Sequence, residues 1–138
     1  VQSAGYILNA GSEQFIQDCV HKLQQDHAAS LLIFPEGTRT AKGEQLNDFQ
    51  RGAANIALRA GVPIRPVLIS CTPSTLTKNE KWYHIPEQPF HIHVKVLDAI
   101  RVEDVLDDVT VNPKNVRQLN QQLQWFFNQE LSVNEQSC

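Results

Sequence analysis

Strand, helix and strand follow one another within 41 residues of this chain, from Leu31 to Cys71, and predict an α/β fold with a mostly parallel central sheet and flanking helices. Three observations carry that reading. Leu31-Leu32-Ile33-Phe34 is a short apolar run halted by Pro35, which has no amide hydrogen to give to a ladder. Ala53-Ala54-Asn55-Ile56-Ala57-Leu58-Arg59-Ala60 reads as a helix that stops at Gly61. Beyond Pro63 and Pro66, the run Val67 to Cys71 reads as a second buried strand, which completes a βαβ unit with a right-handed crossover.

The remaining elements can be placed in order around this unit. Gly5 to Leu8 is a short strand candidate, and Ser12 offers a cap for an amphipathic helix over about 12–26 with Phe15, Ile16, Cys19, Val20 and Leu23 on one stripe. Thr40 to Gln50 is long for a strand-to-helix connection, and long loops there tend to bind ligands or close over them. Thr72 to Pro89 has no clear period. Phe90, Ile92, Val94 and Val96 alternate with His91, His93 and Lys95, the pattern of a strand with one wet face. Asn112 caps a final helix with Pro113 in its first turn and Val116, Leu119, Leu123, Phe126, Phe127 and Leu131 at helical spacing. A length of 138 residues is that of one domain, 1–138, with a polar tail over 132–138 expected to fray.

Charge narrows the function classes. A net charge of −3 argues against a general nucleic-acid binder. Its distribution is uneven: Arg39, Lys42, Arg51, Arg59 and Arg65 against Glu44 and Asp48 leave residues 39–65 at +3, which suits an anionic ligand. Three widely separated cysteines, Cys19, Cys71 and Cys138, suggest a reduced, cytosol-facing protein, and no apolar run approaches the ~20 residues of a membrane span. His91 and His93 stand side by side on their strand, but without a third ligand at helpful spacing they read as a polar stripe, and no metal site is expected.

The polar cassette after Phe34 is where ligand chemistry is expected, because open α/β sheets bind at the carboxyl ends of their strands. Gly37 lets a ligand approach the backbone, Arg39 offers a planar fork of donors for phosphate or carboxylate, and the Thr38 hydroxyl can share the same anion. The plain alternative is a turn in which Glu36 and Arg39 pair with each other at the surface.

Phe34-Pro35-Glu36-Gly37-Thr38-Arg39, then Phe49-Gln50-Arg51-Gly52, then Val62-Pro63-Ile64-Arg65-Pro66-Val67 resemble, in order, three blocks of the glycerolipid acyltransferases, the 1-acylglycerol-3-phosphate acyltransferase family. The resemblance covers about residues 5–71 and says little about 72–138. It implies transfer of an acyl group from acyl-CoA or acyl carrier protein, as co-substrate and with no tightly bound cofactor, to a hydroxyl of a glycerol phosphate or lysophospholipid. It assigns the phosphorylated acceptor to Glu36, Gly37, Thr38 and Arg39 with Arg51 as a second cation, and makes Pro35, Pro63, Ile64 and Pro66 the site wall. Phospholipid biosynthesis at the cytoplasmic side of a membrane, by a peripheral or anchored protein, is the implied setting.

One block of the family does not match. Its general base is a histidine separated by four residues from an aspartate, lying well before the F-P-E-G-T-R block. His21 with Asp26 and His93 with Asp98 have that spacing, yet the first pair lies on a helix only a few residues upstream and the second follows every other block. Together with a first residue that is valine, this leads to the expectation that the chain is the carboxyl-terminal portion of an acyltransferase domain, its sheet incomplete on the amino-terminal side. The catalytic pair and any membrane anchor are then expected upstream. A non-catalytic α/β anion-binding module is the alternative.

Overall fold

The computed structural model describes residues 13–37, 46–72 and 89–136. Their order is α1 (Glu13–Gln25), α2 (Gly52–Ala60), β1 (Val67–Thr72), β2 (His91–Val96), α3 (Val102–Val105) and α4 (Pro113–Gln136). The strand candidate at Gly5–Leu8, most of the loop from Thr40 and most of the excursion from Thr72 lie outside the described residues.

The helices follow their apolar stripes. On α1, Cys19 is buried while Phe15, Ile16, Val20 and Leu23 are half-buried. Burial first, and the Asp18 carboxylate second, push the Cys19 thiol above its ordinary range, as befits a packing residue. This helix lies on α2, where Arg59 donates to both Asn55 and Glu13. Small residues let α2 sit deep: Ala54, Ile56, Ala57 and Leu58 are all buried. Gly61 ends it in the left-handed region at φ 65°, and its amide donates to the Ala57 carbonyl at 2.9 Å.

The core forms where α2, α3 and α4 meet: Phe49, Ala54, Ala57, Leu58, Val102, Leu106, Val116, Leu119 and Leu123, with Ile64, Ile100 and Phe127 packed against it. The start of α4 is fixed by side chains. Asn112 accepts from the Asn115 amide at 2.8 Å, and buried Asn115 donates to the Asp108 and Thr110 carbonyls. The Thr110 hydroxyl and amide hold the Asp108 carboxyl below its usual range. The stability this lends is present above the ordinary carboxylate pKa and fades as pH falls through the lowered value. α4 runs on to Gln136 where fraying is expected from residue 132, since no proline or glycine stands there to stop it and the Ser132 hydroxyl donates to the Asn128 carbonyl.

The sheet differs from expectation. Among the described residues it has two strands, β1 and β2, and they run antiparallel, with Val67 opposite Val96 and Thr72 opposite His91. The expected parallel partner, Leu31–Phe34, forms no ladder, and Leu32 and Phe34 are 75% and 69% exposed. At its end the Phe34 carbonyl accepts from the Gly37 amide within a turn. Beyond the strands, Ile64 and Ile100 exchange two backbone hydrogen bonds, carrying the antiparallel pairing past β1 and β2. One sheet face turns Leu68 into the protein and sends Lys95 to Glu130 of α4. On the other face Ile69, Ile92, Val94 and Val96 are all more than half exposed, so the strand expected to have one wet face is exposed on both.

Leu119→Ala is expected to cost about 2–5 kcal/mol in urea unfolding, because Leu119 is fully buried at the centre of the α4 stripe. Val94→Lys should change stability by no more than about 0.5 kcal/mol while lowering binding of the apolar dye ANS to the native protein.

Candidate functional site

Pro35-Glu36-Gly37 forms a tight turn whose φ of 69° at Gly37 favours glycine. A Cβ at this position would also stand 3.4 Å from Gln50 Cγ. The turn rests against the segment 46–50: the Gln50 amide donates to the Pro35 carbonyl at 2.7 Å, and Glu36 Oε2 accepts from the Asn47 amide at 3.1 Å and from Asn47 Nδ2 at 3.3 Å. The Glu36 carboxylate thus has a fixed place within the cassette.

Segment 46–50 has no regular secondary structure, and its polar backbone must be satisfied by side chains. Gln124 of α4 supplies both ends of its amide, accepting from the Phe49 amide at 2.6 Å and donating to the Asn47 carbonyl at 3.3 Å. Asn120, one turn earlier, donates to the Phe49 carbonyl at 2.9 Å. Phe49 is buried between them and meets Phe127 edge-on, ring centroids 5.2 Å apart. A continuous chain of bonds therefore runs from Glu36 through Asn47 to Gln124.

Arg51, directly after this segment, is the residue from which α2 starts and is exposed. It lines a groove of about 500 Å3 together with Asp48, Phe49, Arg117, Asn120, Gln121, Gln124, Trp125 and Asn128. Of the residues expected from sequence, the structure sets Pro35, Glu36 and Gly37 against Asn47 and Gln50, while Arg51 follows that segment and lines the groove, which none of the three enters. Thr38 and Arg39 lie outside the described residues. Pro63 is exposed, Ile64 packs on the core beside Ile100, and Pro66 is fully buried; none of the three lines the groove. His21 is exposed on α1, and Asp26, with the same spacing as a catalytic partner, accepts from the Ala28 amide and pairs with Lys22. His93 is exposed on β2. Among the described residues no group of three or more His, Cys, Asp or Glu side chains could hold a metal, and no helix is long and apolar enough to cross a membrane.

Sequence reading missed Asn47, Arg117, Asn120 and Gln124. The available signal was weak: Asn120 and Gln124 stand four residues apart on α4, at the border of its apolar stripe, where polar residues are usually solvated.

Comparison with known proteins covers the stretch that holds the cassette. Residues 8–70 match the family model described as Acyltransferase. A mouse 1-acyl-sn-glycerol-3-phosphate acyltransferase alpha is 36% identical over 86 residues, 62% of this chain and 29% of its own. The Escherichia coli 1-acyl-sn-glycerol-3-phosphate acyltransferase is 46% identical over 50 residues, 36% of this chain and 20% of its own, and the one from Cocos nucifera is 37% identical over 75 residues, 54% and 23%. Over this stretch the chain is similar to the glycerolipid acyltransferases. It spans less than a third of the length of these relatives, and no solved structure matches it.

Gln124→Leu is expected to cost about 1–3 kcal/mol, because the Phe49 amide and the Asn47 carbonyl both lose their partner in a partly buried setting. Hydrogen exchange at the Phe49 amide should accelerate in that variant, while exchange at the centre of α2 changes only by the global loss of stability.

Proposed function

We propose that the turn at 35–37 and the segment that receives it form the acceptor-phosphate side of an acyltransferase. An acyl group would pass from a thioester of coenzyme A or acyl carrier protein to a hydroxyl of a glycerol phosphate or lysophospholipid. The observation that supports this most is the anchoring of Glu36 by Asn47 beside a glycine held at positive φ, within a stretch that matches the acyltransferase model. Such a turn presents backbone to a ligand without a side chain in the way. In this reading Thr38 and Arg39 clamp the acceptor phosphate, Arg51 adds a second cation, and Glu36 orients the acceptor hydroxyl or a catalytic side chain. The relatives are named for an acceptor carrying one phosphate, 1-acyl-sn-glycerol 3-phosphate, which suits two guanidinium groups.

The general base of the reaction takes the proton of the acceptor hydroxyl as its oxygen attacks the thioester carbonyl and the thiol departs. Neither His21 nor His93 contacts the turn, so we assign this role to a histidine and aspartate outside this chain, in a protein working at the cytoplasmic face of a membrane. In this reading Pro35 and Pro63 form the wall of the acceptor site, whereas Ile64, packed on the core, and the fully buried Pro66 lie behind it.

Calorimetric titration of the chain with glycerol 3-phosphate should show saturable binding. Arg39→Ala should weaken it by about 1.5–3 kcal/mol with an unchanged melting temperature, the worth of a charge-assisted hydrogen bond. A lowered melting temperature with unchanged affinity of the folded protein would instead make Glu36 and Arg39 a structural pair. The purified chain should show no acyl transfer. Transfer by the chain alone, abolished by His21→Ala, would place the base within it, and phosphate binding without transfer in the longest natural form of the protein would identify a non-catalytic anion-binding module.

A further inference from the structure

Three consecutive peptide groups of segment 46–50 are held from α4. Gln124 donates to the Asn47 carbonyl and accepts from the Phe49 amide, and Asn120 donates to the Phe49 carbonyl. The turn at 35–37 attaches at the two ends of this held stretch. At one end the Asn47 amide and Nδ2 both donate to Glu36 Oε2, so backbone and side chain of one residue converge on one carboxylate oxygen. At the other end, the peptide group whose oxygen accepts from Asn120 donates through its Gln50 amide to the Pro35 carbonyl. Burial alone does not require this arrangement. Phe49 packs on the core and meets Phe127 edge-on, which fixes how deep the segment lies but not how its peptide planes are rotated. Hydrogen bonds are directional and weaken steeply below about 120°, so the two amides of α4 set that rotation. They stand four residues apart on one face of the helix and lie beyond residue 70, outside the stretch that the family model matches.

We propose that Asn120 and Gln124 are positioning residues of the acceptor site, acting through segment 46–50 to set where Glu36 meets the acceptor hydroxyl, an assignment that rests on the acyltransferase reading above. Gln124 fixes the plane of the 47–48 peptide and with it the direction in which Asn47 presents its two donors to Glu36. Asn120 orients and polarises the 49–50 peptide, whose other end carries the Pro35 carbonyl. All of the side-chain bonds in this relay are partly buried, where water competes less for their partners. A carboxylate shifted by about 1 Å loses its alignment with a bound hydroxyl, so acceptor affinity depends on two amides of the last helix that act through the loop between.

The test follows glycerol 3-phosphate binding by calorimetry and the 13C resonance of the Glu36 carboxylate in the ligand-free chain. Gln124→Glu keeps an oxygen for the Phe49 amide and removes the donor to the Asn47 carbonyl. It should weaken binding about tenfold and shift the Glu36 resonance. Asn120→Ala, which removes the other amide, should weaken binding in the same direction. Ile56→Ala truncates a buried side chain of α2 outside the cluster around Phe49, and should lower the melting temperature while leaving affinity and resonance unchanged. In a Glu36→Ala background, Gln124→Glu should weaken binding no further, because the group it positions is gone. Wild-type affinity in both amide variants, an unmoved Glu36 resonance in Gln124→Glu, or a further loss in the Glu36→Ala background would overturn the positioning role. If the wild-type chain binds and the variants bind as well, that role falls alone; if the wild-type chain does not bind glycerol 3-phosphate, the acceptor reading falls and takes the role with it.

Discussion

A stretch of irregular backbone cannot be buried against a helix unless its amides and carbonyls find partners, and segment 46–50 finds them on side chains of α4. Gln124 is the centre of this arrangement, because one amide group serves a donor and an acceptor two residues apart. Phe49 then enters the core against Phe127, and Asn47 is left facing the other way with its amide and side chain free to hold Glu36. The position of the candidate site is therefore inherited from α4, more than 70 residues downstream of the segment it holds. Loosening that one contact would leave the turn at 35–37 without a floor.

Local elements were legible because each depends on a pattern within one turn or one strand. The stripe on α1, the small residues and Gly61 of α2, and the Asn112-Pro113 start of α4 all form as their sequence implies. The parallel sheet was not legible in the same way, since pairing depends on which strands are neighbours. Leu31–Phe34 is as apolar as a buried strand needs to be, yet it pairs with no strand among the described residues, and Leu32 and Phe34 are exposed. β1 pairs instead with the alternating strand β2, which forms where its alternation implies and whose apolar side is more than half exposed. An apolar surface of this kind is uncommon on a self-sufficient domain.

The candidate site was legible in part for a related reason. Glu36, Gly37 and Arg51 announce themselves by residue type within short blocks, and the turn geometry at Gly37 agrees with the choice of glycine. Asn120 and Gln124 carry no such signal. An amide beside an apolar stripe looks solvated until the segment it satisfies is known, and that segment is a loop with no periodicity to predict where it lies.

The groove has two walls of different origin, and this bears on how specificity could be divided. Segment 48–51 belongs to the stretch shared with the acyltransferases, whereas Arg117, Gln121, Trp125 and Asn128 belong to α4. A ligand contacting both walls is sensitive to the contact between them, which is the Gln124 amide and the Phe49 ring. Substitutions on the outer column of α4 alter the groove without touching that contact, because Arg117, Gln121 and Trp125 point away from the buried stripe of Val116, Leu119 and Leu123. Binding in the groove can therefore change while the turn at Glu36 stays in place, but the reverse does not hold: displacing segment 46–50 moves the floor of the turn and one wall of the groove together.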